Sequence, residues 1–352
     1  MAISFSNFNT LANTALDFYV RSQPVGQSIQ DKPLLADLNA KKKEFPGGQG
    51  YVSGPVQGAY AADQAGFFQW YSHTDQVNFV HPDNILRAKY LWRECHAGIV
   101  LDFTELKQRG IGVDMSGQPV KSSNEEIQIV KDWLAAVVED DFGESLSRSV
   151  WDALWQNGAQ SAQAIVGITG ILDDDPTQGI VGALDRATYK WWRHVVDLNI
   201  PYSEANQSLT KKLKSYVRRM RRFGGRPDLL YAGDDMLSAL EAETSAKGQL
   251  TVTGQAGQES VTVGQGRSPE QPVYIRGVGW VQYEPWLDDH GYSKRLYAMD
   301  SRHVKLMPMK GQDMMAHKAV RPYDQFVLFK SVTGTMALCF DMLNCHGVFA
   351  VQ

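Results

Sequence analysis

Hydrophobic residues recur at helical spacing most clearly in the middle of the chain. A capping-box pattern, Ser122 followed three residues later by Glu125, opens this segment. Apolar residues then repeat every three or four positions from Ile127 to Leu154. The pattern predicts a helix over Ser122–Gly158, with a weak point at Gly143. At 1.5 Å per residue such a helix is about 50 Å long, more than a small domain spans.

Four shorter segments also show helical signals. Pro33 opens one of them, in which Leu34, Leu35 and Leu38 form an apolar stripe. The stripe could pack on the rest of the chain or on a neighbouring subunit. The other three are predicted at 84–97 with Asp83 as N-cap, from Ser203 to the glycines at 224 and 225, and at 234–246. Residues 5–19 have a weaker amphipathic pattern.

Alternating apolar and polar residues predict strands in the aromatic part of the chain and near its C-terminus. The predicted strands are 67–71, 77–80, 99–103, 228–232, 273–275, 279–283, 295–299, 303–306 and 347–351. Two Gly- and Gln-rich stretches, 45–66 and 247–272, favour extended or turning chain, and the second is predicted to be a mobile hairpin or surface loop. Helices and strands in this mixed order predict an α+β protein.

Composition narrows the class of protein. The 352 residues carry a formal net charge of −4, which argues against a dedicated nucleic-acid binder covered in basic residues. The nine Trp and fourteen Tyr exceed what a minimal core needs and hint at protein interfaces. Cys95, Cys339 and Cys345 are too few and too scattered for a disulfide framework, so folding in a reducing compartment is expected. Neither a signal peptide nor a membrane span is expected.

The sequence contains no G-x-x-x-x-G-K-[ST] phosphate loop, no complete G-x-G-x-x-G, no H-E-x-x-H and no G-x-S-x-G, and no cofactor is predicted. Gly277-Val-Gly279 lacks the third glycine of a dinucleotide fingerprint. Cys339, Cys345 and His346 could supply metal ligands, but their spacing is wider than that of structural zinc sites, which favours buried, inert thiols. The acidic run 173–175 favours a polar turn over a cation loop, since three consecutive side chains do not converge easily on one ion.

Basic residues surround much of the helix predicted from Ser203. They are Lys211, Lys212, Lys214, Arg218, Arg219, Arg221 and Arg222. A solvated or subunit-pairing face is the first interpretation. Phosphate contact, which would be sensitive to salt, is the alternative.

One segment carries a family resemblance. Gly179-Ile-Val-Gly-Ala-Leu-Asp-Arg-Ala-Thr-Tyr-Lys-Trp-Trp-Arg193, preceded by Gly167-Ile-Thr-Gly-Ile-Leu172, resembles a motif of the major capsid proteins of tailed bacteriophages. That motif has a G-G-I-D-R-x-x-x-x-W-W-R-like string. Ala183-Leu184 replaces its Gly-Ile pair, a change that is conservative in size.

Shorter motifs follow in the family's order and extend the resemblance over most of the chain. They are Lys41-Lys-Lys with Gly47-Gly48, Trp70-Tyr71 with Asp75, Ala88-x-Tyr90-x-Trp92, Glu105-Leu with Gly110, and His346-Gly-Val-Phe-Ala-Val351. Each motif is modest alone, and their order makes the resemblance specific.

The resemblance implies an α+β fold of the Hong Kong 97 phage capsid type. It has an N-terminal arm, an extended β-hairpin loop, a peripheral domain with a long spine helix, and an axial domain. The implied boundaries are 1–66 for the arm, 67–100 for the extended loop, 101–165 for the peripheral domain with its spine helix, 166–272 for the axial domain, 273–310 for peripheral-domain strands, and 311–352 for the return to the axial domain and the C-terminal strand.

The implied function is that of a major capsid protein, not an enzyme, which self-assembles into an icosahedral phage head around double-stranded DNA. The implied partners are copies of itself in hexamers and pentamers, a scaffolding protein and portal during assembly, a decoration protein, and packaged DNA contacted non-specifically, with no membrane. The location would be the virion, assembled in the host cytoplasm. A nanocompartment shell of the same fold around cargo enzyme is the alternative, and a soluble enzyme with unrecognised chemistry is a third.

Seven residues are the candidates for structural or subunit-contact roles: Asp185, Arg186, Trp191, Trp192, Arg193, Trp70 and Tyr71. The two tryptophans of the 179–193 segment are expected to bury large apolar area, while Asp185 and one arginine lock a turn through a charge-assisted pair. The alternative places Arg186 or Arg193 at a subunit contact.

Overall fold

The computed structural model describes residues 31–47, 50–57, 70–77, 79, 85–102, 142–245, 273–317 and 327–352. The chain divides into two compact units. The larger unit comprises residues 32–93, 153–310 and 336–352, and the smaller unit comprises residues 1–31, 94–152 and 311–335.

The described elements mix helices and strands, as the α+β prediction requires. In chain order they are α1 (Pro33–Ala40), β1 (Tyr51–Gln57), β2 (Ile85–Leu91), β3 (Arg93–Asp102), α2 (Phe142–Trp155), α3 (Ile168–Ile171), β4 (Ile180–Val181), β5 (Leu184–Asp185), β6 (Val195–Ile200), α4 (Ser208–Arg222), β7 (Leu229–Ala232), α5 (Asp234–Ser245), β8 (Val273–Ile275), β9 (Gly279–Tyr283), α6 (Pro285–Asp289), β10 (Arg295–Met299), β11 (Val304–Pro308), β12 (Met315–Ala316), β13 (Val327–Phe340), a 3₁₀ turn (Leu343–Cys345) and β14 (Gly347–Val351).

A six-stranded mixed sheet forms the centre of the larger unit, in the order β6-β14-β10-β7-β9-β8. β14 runs parallel to β6 and β7 parallel to β9, and the other neighbours are antiparallel. Every residue of β7 and β14 is buried, so both faces of the sheet are covered at these strands. The strand predictions for 228–232, 273–275, 279–283, 295–299 and 347–351 are confirmed within a residue at each end.

The two faces of this sheet bury different side chains because neighbouring residues of a strand point in opposite directions. Leu230 and Leu296 face α4 and α5, where they join one apolar cluster with Leu213 and Leu240. The intervening residues, Tyr231 and Tyr297, face an aromatic cluster instead. Its centre is Trp155, whose ring lies 6.0 Å from Tyr231, 5.2 Å from Tyr297 and 5.5 Å from Trp286 between centroids.

Strands β8, β9 and β10 lie in the same sheet as β6, β7 and β14, across the implied domain boundary at residue 272. The alternating pattern of a strand shows that one face is buried, but it does not say which strand lies beside it. The sequence therefore predicted each of these strands but not the sheet that each one joins.

Helix α1 packs on the larger unit through its apolar stripe. Leu34, Leu35 and Leu38 are all buried there. The backbone N–H of Leu34 donates to the buried carboxylate of Glu284 at 3.3 Å, and the Tyr231 hydroxyl donates to Asp37 at 2.6 Å. The sequence left two possibilities for this stripe, packing on the same chain or on a neighbouring subunit. In the structure it packs on the same chain. The weaker helix pattern at 5–19 lies outside the described residues.

Residues 85–91 form a strand, so the predicted helix over 84–97 was wrong. β1 and β2 make an antiparallel ribbon, in register from Tyr51 opposite Leu91 to Gln57 opposite Ile85. Leu86 and Tyr90, whose spacing of four suggested a helix, are also an even number of residues apart, so they share one face of a strand. Cross-strand pairing with β1, which is distant in sequence, decides between the two.

The strands predicted at 67–71 and 77–80 are absent from the residues that the structure describes. Trp70, Tyr71, Val77 and Phe79 are in no strand, while 67–69, 78 and 80 lie outside the described residues. β11 pairs with the C-terminal part of β13, from Val304 opposite Phe340 to Pro308 opposite Met336.

In the smaller unit, β12 pairs with the N-terminal part of β13, and the Cys95 thiol of β3 donates to the carbonyl of Gly334 at 3.4 Å. The long-helix prediction falls partly in this unit. Within the described residues 142–158, Phe142–Trp155 is helical without a break at Gly143, but residues 156–158 are not helical, so the helix ends three residues before the predicted Gly158. Residues 122–141 lie outside the described residues. The full length of about 50 Å therefore stays a prediction.

Helix α4 begins five residues later than the predicted Ser203. Residues 203–207 form a turn in which Gln207 has a positive φ of 50°, a conformation that interrupts a helix. The helix start is instead capped from a distance: the buried carboxylate of Glu243, on α5, accepts the N–H groups of Leu209 at 3.0 Å and Thr210 at 2.8 Å. These are amides of the first turn, which have no partner within the helix. The end at the predicted glycines is confirmed, with Gly224 at φ 87°.

Candidate assembly site

The segment that carries the family resemblance opens with a tight hairpin. β4 and β5 pair antiparallel, and the two residues between them, Gly182 and Ala183, have φ values of 60° and 64°. Two consecutive positive φ values are typical of the two-residue hairpin turn that matches strand twist. Ala183 stands where the related motif has glycine, so the chain here holds an alanine in a conformation that disfavours a Cβ atom.

This hairpin lies against β2 of the ribbon. The N–H of Lys89 donates to the Gly182 carbonyl at 2.9 Å. A Cβ atom at Gly182 would come within 3.1 Å of both Ala88 and the Tyr90 ring. Gly182 therefore serves both the turn and the close approach of the hairpin to β2.

Asp185 shapes the turn after the hairpin by accepting hydrogen bonds from local groups. Its carboxylate accepts the N–H of Ala187 at 3.0 Å, and the N–H and hydroxyl of Thr188 at 3.3 and 2.7 Å. The Thr188 hydroxyl and these amides lower the pKa of Asp185. The expected charge-assisted pair between Asp185 and an arginine was wrong, because the neighbouring arginine turns to a different carboxylate.

That carboxylate belongs to Asp173. Arg186 is almost fully buried and binds Asp173 in a bidentate way, with N–O distances of 2.9 and 2.7 Å. Gly179 lies directly above the guanidinium, and a Cβ atom there would be 2.8 Å from one of its nitrogens. Gly179 also has a φ of 88°, so two independent constraints favour glycine at this position.

His194 completes this buried group. Its Nε2 lies 2.8 Å from the Asp173 carbonyl oxygen and its Nδ1 lies 3.5 Å from an Arg186 nitrogen. A neutral ring with the proton on Nε2 satisfies both contacts, donating to the carbonyl and accepting from the guanidinium. Desolvation by burial lowers the pKa of His194 to about 4, and the positive charge of Arg186 acts in the same direction.

The two tryptophans differ in burial. Trp192 is 1% exposed and its indole N–H donates to the Val181 carbonyl at 3.0 Å, which ties the end of the segment to its first strand. Trp191 is half-buried and contacts the Trp192 ring, 5.8 Å away between centroids. Arg193 donates to the carbonyls of Arg186 at 2.7 Å and Ala187 at 3.1 Å. The segment is thus a structural clamp within the larger unit, and Arg186 is buried inside it.

The three consecutive aspartates before the segment point to three different partners. Asp173 binds Arg186, Asp174 binds Arg295 at 2.6 and 2.9 Å, and Asp175 accepts the hydroxyl of Thr177 at 2.6 Å. They form a polar, ion-paired turn, as the run of adjacent carboxylates predicted.

Three aromatic side chains between residues 70 and 79 are strongly exposed. Trp70 is 90% exposed, Tyr71 67% and Phe79 94%. A turn lies between them, in which the N–H of Ser72 donates to the Asp75 carboxylate at 2.7 Å. We call Trp70, Tyr71 and Phe79 the loop aromatics. Several large apolar side chains exposed within one short segment, unlike a single exposed one, are typical of a surface that another molecule covers.

The cysteine–histidine group near the C-terminus is buried. Burial raises the pKa of Cys339 to about 12 and of Cys345 to about 11, so both thiols are neutral. His346 accepts the N–H of Asp300 through Nδ1 at 3.2 Å, and desolvation lowers its pKa to about 3. Among the described residues, no His, Cys, Asp or Glu side chains are grouped so as to hold a metal ion. Within the same part of the chain, no helix has the length and apolarity needed to cross a bilayer.

Sequence reasoning missed the half-buried partner Asp173 and the buried partners His194, Glu243 and Glu284. To find them from the sequence, one would have to recognise that a charged or polar residue occupies a position that the surrounding chain covers. That is visible only when the packing is known, since charged residues are otherwise assigned to the surface.

Comparison with known proteins gives matches at the level of structure. No protein-family model and no curated protein sequence matches the chain. Among solved structures, the capsid asymmetric unit of cyanophage A-1(L) matches with a TM-score of 0.59 at 11% identity, over 94% of this chain and 95% of that one. The capsid of a native GTA particle matches with a TM-score of 0.54 at 10% identity, over 94% and 93%. The SrpI encapsulin complex of Synechococcus elongatus PCC 7942 matches with a TM-score of 0.51 at 13% identity, over 99% and 96%.

The chain therefore has the α+β capsid fold of the Hong Kong 97 type, as the sequence resemblance implied. The likeness extends over nearly the whole length of each chain. The structures that share the fold include phage capsids and an encapsulin shell, which are structural proteins.

Proposed function

We propose that this chain is the major capsid protein of a tailed phage, which self-assembles into an icosahedral head around double-stranded DNA. The observation that carries the proposal is the fold, shared over more than nine-tenths of its length with the capsid of cyanophage A-1(L). The role is structural and includes no catalytic step. The place of the protein is the virion, after assembly in the host cytoplasm.

The loop aromatics supply the contact between subunits in this proposal. Burying one aromatic ring in a neighbour removes a large apolar area from water, worth on the order of 1.5–3 kcal/mol. A single contact of that size is weak. Many such contacts per subunit add up in a closed shell, where each subunit is held by several neighbours at once.

The division of labour follows the implied domains, adjusted to the observed sheets. The six-stranded sheet with α4 and α5 serves as the axial domain at the centre of each hexamer or pentamer. The helix that includes α2 is the spine of the peripheral domain, and the ribbon of β1 and β2 is the base of the extended loop. Residues 1–66 act as the arm, and α1, within it, is packed on its own subunit. A scaffolding protein, a portal and a decoration protein complete the head.

A nanocompartment shell is the second candidate function, because the encapsulin of Synechococcus elongatus shares the fold at nearly the same TM-score. The two candidates differ in what the shell contains. A phage head holds DNA and needs a portal, whereas a nanocompartment encloses protein.

Negative-stain electron microscopy of the purified full chain tests assembly. Uniform closed shells support the proposal, and a persistent monomer under all assembly conditions contradicts it. Shells isolated from the native source then separate the two candidates. Nuclease-protected DNA supports the phage head, and a co-purifying enzyme without DNA supports the nanocompartment.

A pair of substitutions tests the role of the loop aromatics. Trp70→Ser with Phe79→Ser should lower shell yield more than tenfold, while the free energy of unfolding of the subunit in urea stays within about 0.5 kcal/mol of wild type, as for other surface changes. Phe223→Ser, which removes an exposed ring at the end of α4, is the control and should leave shell yield unchanged. Normal shells from the double variant would exclude these rings from the assembly contact.

A further inference from the structure

Helix α4 has an apolar face and a cationic face, and the two have separate environments. Leu209, Leu213, Val217 and Met220 are buried against the six-stranded sheet. The rest of the circumference carries seven basic side chains and no acidic one. They are Lys211, Lys212, Lys214, Arg218, Arg219, Arg221 and Arg222, and all but the half-buried Lys214 are exposed. We call these seven side chains the cationic face.

No carboxylate neutralises the cationic face within the part of the chain that the structure describes. None of the seven ammonium or guanidinium groups lies within 4.0 Å of an Asp or Glu oxygen there. Arg218 instead donates to the Lys214 carbonyl of its own helix at 3.2 Å. Exposed cations elsewhere do find partners, as Lys41 does with Asp228 at 3.2 Å. Among the described residues, the cationic face is therefore a concentration of positive charge without a carboxylate partner, in a chain whose formal net charge is −4.

The cationic face is held rigidly. The apolar side of α4 is packed into the core, and Glu243 accepts the amides of its first turn. From Lys211 to Arg222 the helix rises about 16 Å at 1.5 Å per residue, so the face presents one positive charge about every 2.4 Å. Double-stranded DNA carries one negative charge about every 1.7 Å of its axis. The two charge densities are similar.

The chemistry of the face favours a duplex backbone over other polyanions. Four of the seven groups are guanidinium, which binds phosphate oxygens in a bidentate way. Within the helix, Ser208–Arg222, the aromatic ring is that of Tyr216, which is stacked on Phe349 at 5.1 Å and bonded to Asp197 and is therefore not offered to unpaired bases. One exposed ring, Phe223, lies just beyond the helix end, which is fewer than a platform for successive bases needs. Sequence-independent contact with phosphates is what such a surface can provide.

We propose that the cationic face of α4 binds the phosphate backbone of double-stranded DNA without sequence preference. Binding neutralises phosphates and releases their counterions, so its affinity depends steeply on salt. The role of this contact in a DNA-filled shell rests on the proposed function, but binding by the subunit does not.

Fluorescence anisotropy of a labelled duplex of about 20 base pairs, titrated with unassembled full-length chain, tests this. The variant is Arg218→Gln with Arg222→Gln, and the control is Lys43→Gln with Lys310→Gln, which removes the same charge from exposed positions beside β11. Each phosphate contact contributes about 0.9 to the slope of log affinity against log salt. The variant should lose about 2 from that slope and at least tenfold in affinity at about 0.1 M salt, while the control binds like wild type.

Equal loss in variant and control would overturn the proposal, because it would reflect net charge alone. Unchanged DNA binding together with smaller assemblies in sedimentation would also overturn it, and would assign the cationic face to a neighbouring subunit. If shells form but the substitutions in α4 do not change DNA binding, only this inference is wrong and the proposed function stands. If DNA binding depends on α4 but the chain never forms shells, only the proposed function is wrong.

Discussion

Removing the carboxylate of Asp173 should destabilise the chain more than removing the guanidinium that it binds. Arg186 is 2% exposed and Asp173 is 38% exposed in their side chains. Asp173→Ala leaves a buried positive charge whose remaining acceptors in the described region are uncharged and distant: the Ile171 carbonyl at 3.4 Å and Nδ1 of His194 at 3.5 Å. Arg186→Met leaves an apolar side chain of similar length in the core and a carboxylate that water can reach.

The magnitudes follow from this difference in exposure. Breaking a buried ion pair from one side costs about 3–5 kcal/mol when the remaining charge is unpaired. Water can enter through the exposed side of Asp173, so we expect about 3 kcal/mol for Asp173→Ala. A hydrated carboxylate is left by Arg186→Met, for which we expect about 1 kcal/mol. The double variant should cost little more than Arg186→Met alone, which gives a coupling energy of about 2 kcal/mol.

Urea unfolding of the full chain at pH 7, followed by tryptophan fluorescence on unassembled protein, measures these free energies. Asp175→Ala is the matched control, since this neighbouring carboxylate bonds only the exposed Thr177 in the described region, and it should cost less than about 0.5 kcal/mol. If Asp173→Ala costs no more than Arg186→Met, or if the two changes are additive, the buried-charge reasoning is refuted.

Three further predictions concern the same unit. Ala183→Gly should raise the free energy of unfolding by about 0.5–1 kcal/mol, seen as a higher urea midpoint, because glycine holds a φ of 64° without strain. Glu243→Ala should lower it by about 1–3 kcal/mol by leaving buried amides of α4 unpaired, and amide exchange should quicken at the start of that helix. Stability should also fall as the pH drops below about 6.5. His194 and His346 have native pKa values of about 4 and about 3, so only the unfolded chain takes up their protons, and each costs up to about 1.4 kcal/mol per pH unit. Asp300, whose pKa is lowered to about 2, affects stability only below about pH 4. Urea midpoints at pH 7 and pH 5 therefore report on the histidines. His194→Gln should make the midpoint depend less on pH.

The sequence predicted those parts of the fold in which local pattern and tertiary environment agree. Leu34, Leu35 and Leu38 are buried as their spacing suggested, and the apolar periodicity of residues 234–246 corresponds to α5. The 179–193 string indicated the capsid fold itself, because its glycines, its arginines and Trp192 take part in one clamp. In each case the information lies within a few residues along the chain.

The tertiary structure alone decided the pairings between distant residues. Ile85–Leu91 is a strand because β1 lies beside it, although the spacing of Leu86 and Tyr90 fits a helix equally well. Arg186 binds Asp173, thirteen residues before it, in preference to the adjacent Asp185, and Glu243 caps a helix that begins thirty-five residues before it. Hydrophobic pattern is a property of neighbours along the chain, whereas the partner of a buried charge or a strand edge depends on which segments meet in space. That is why the sequence determined most elements and the fold, and only the folded chain determined which side chains hold them together.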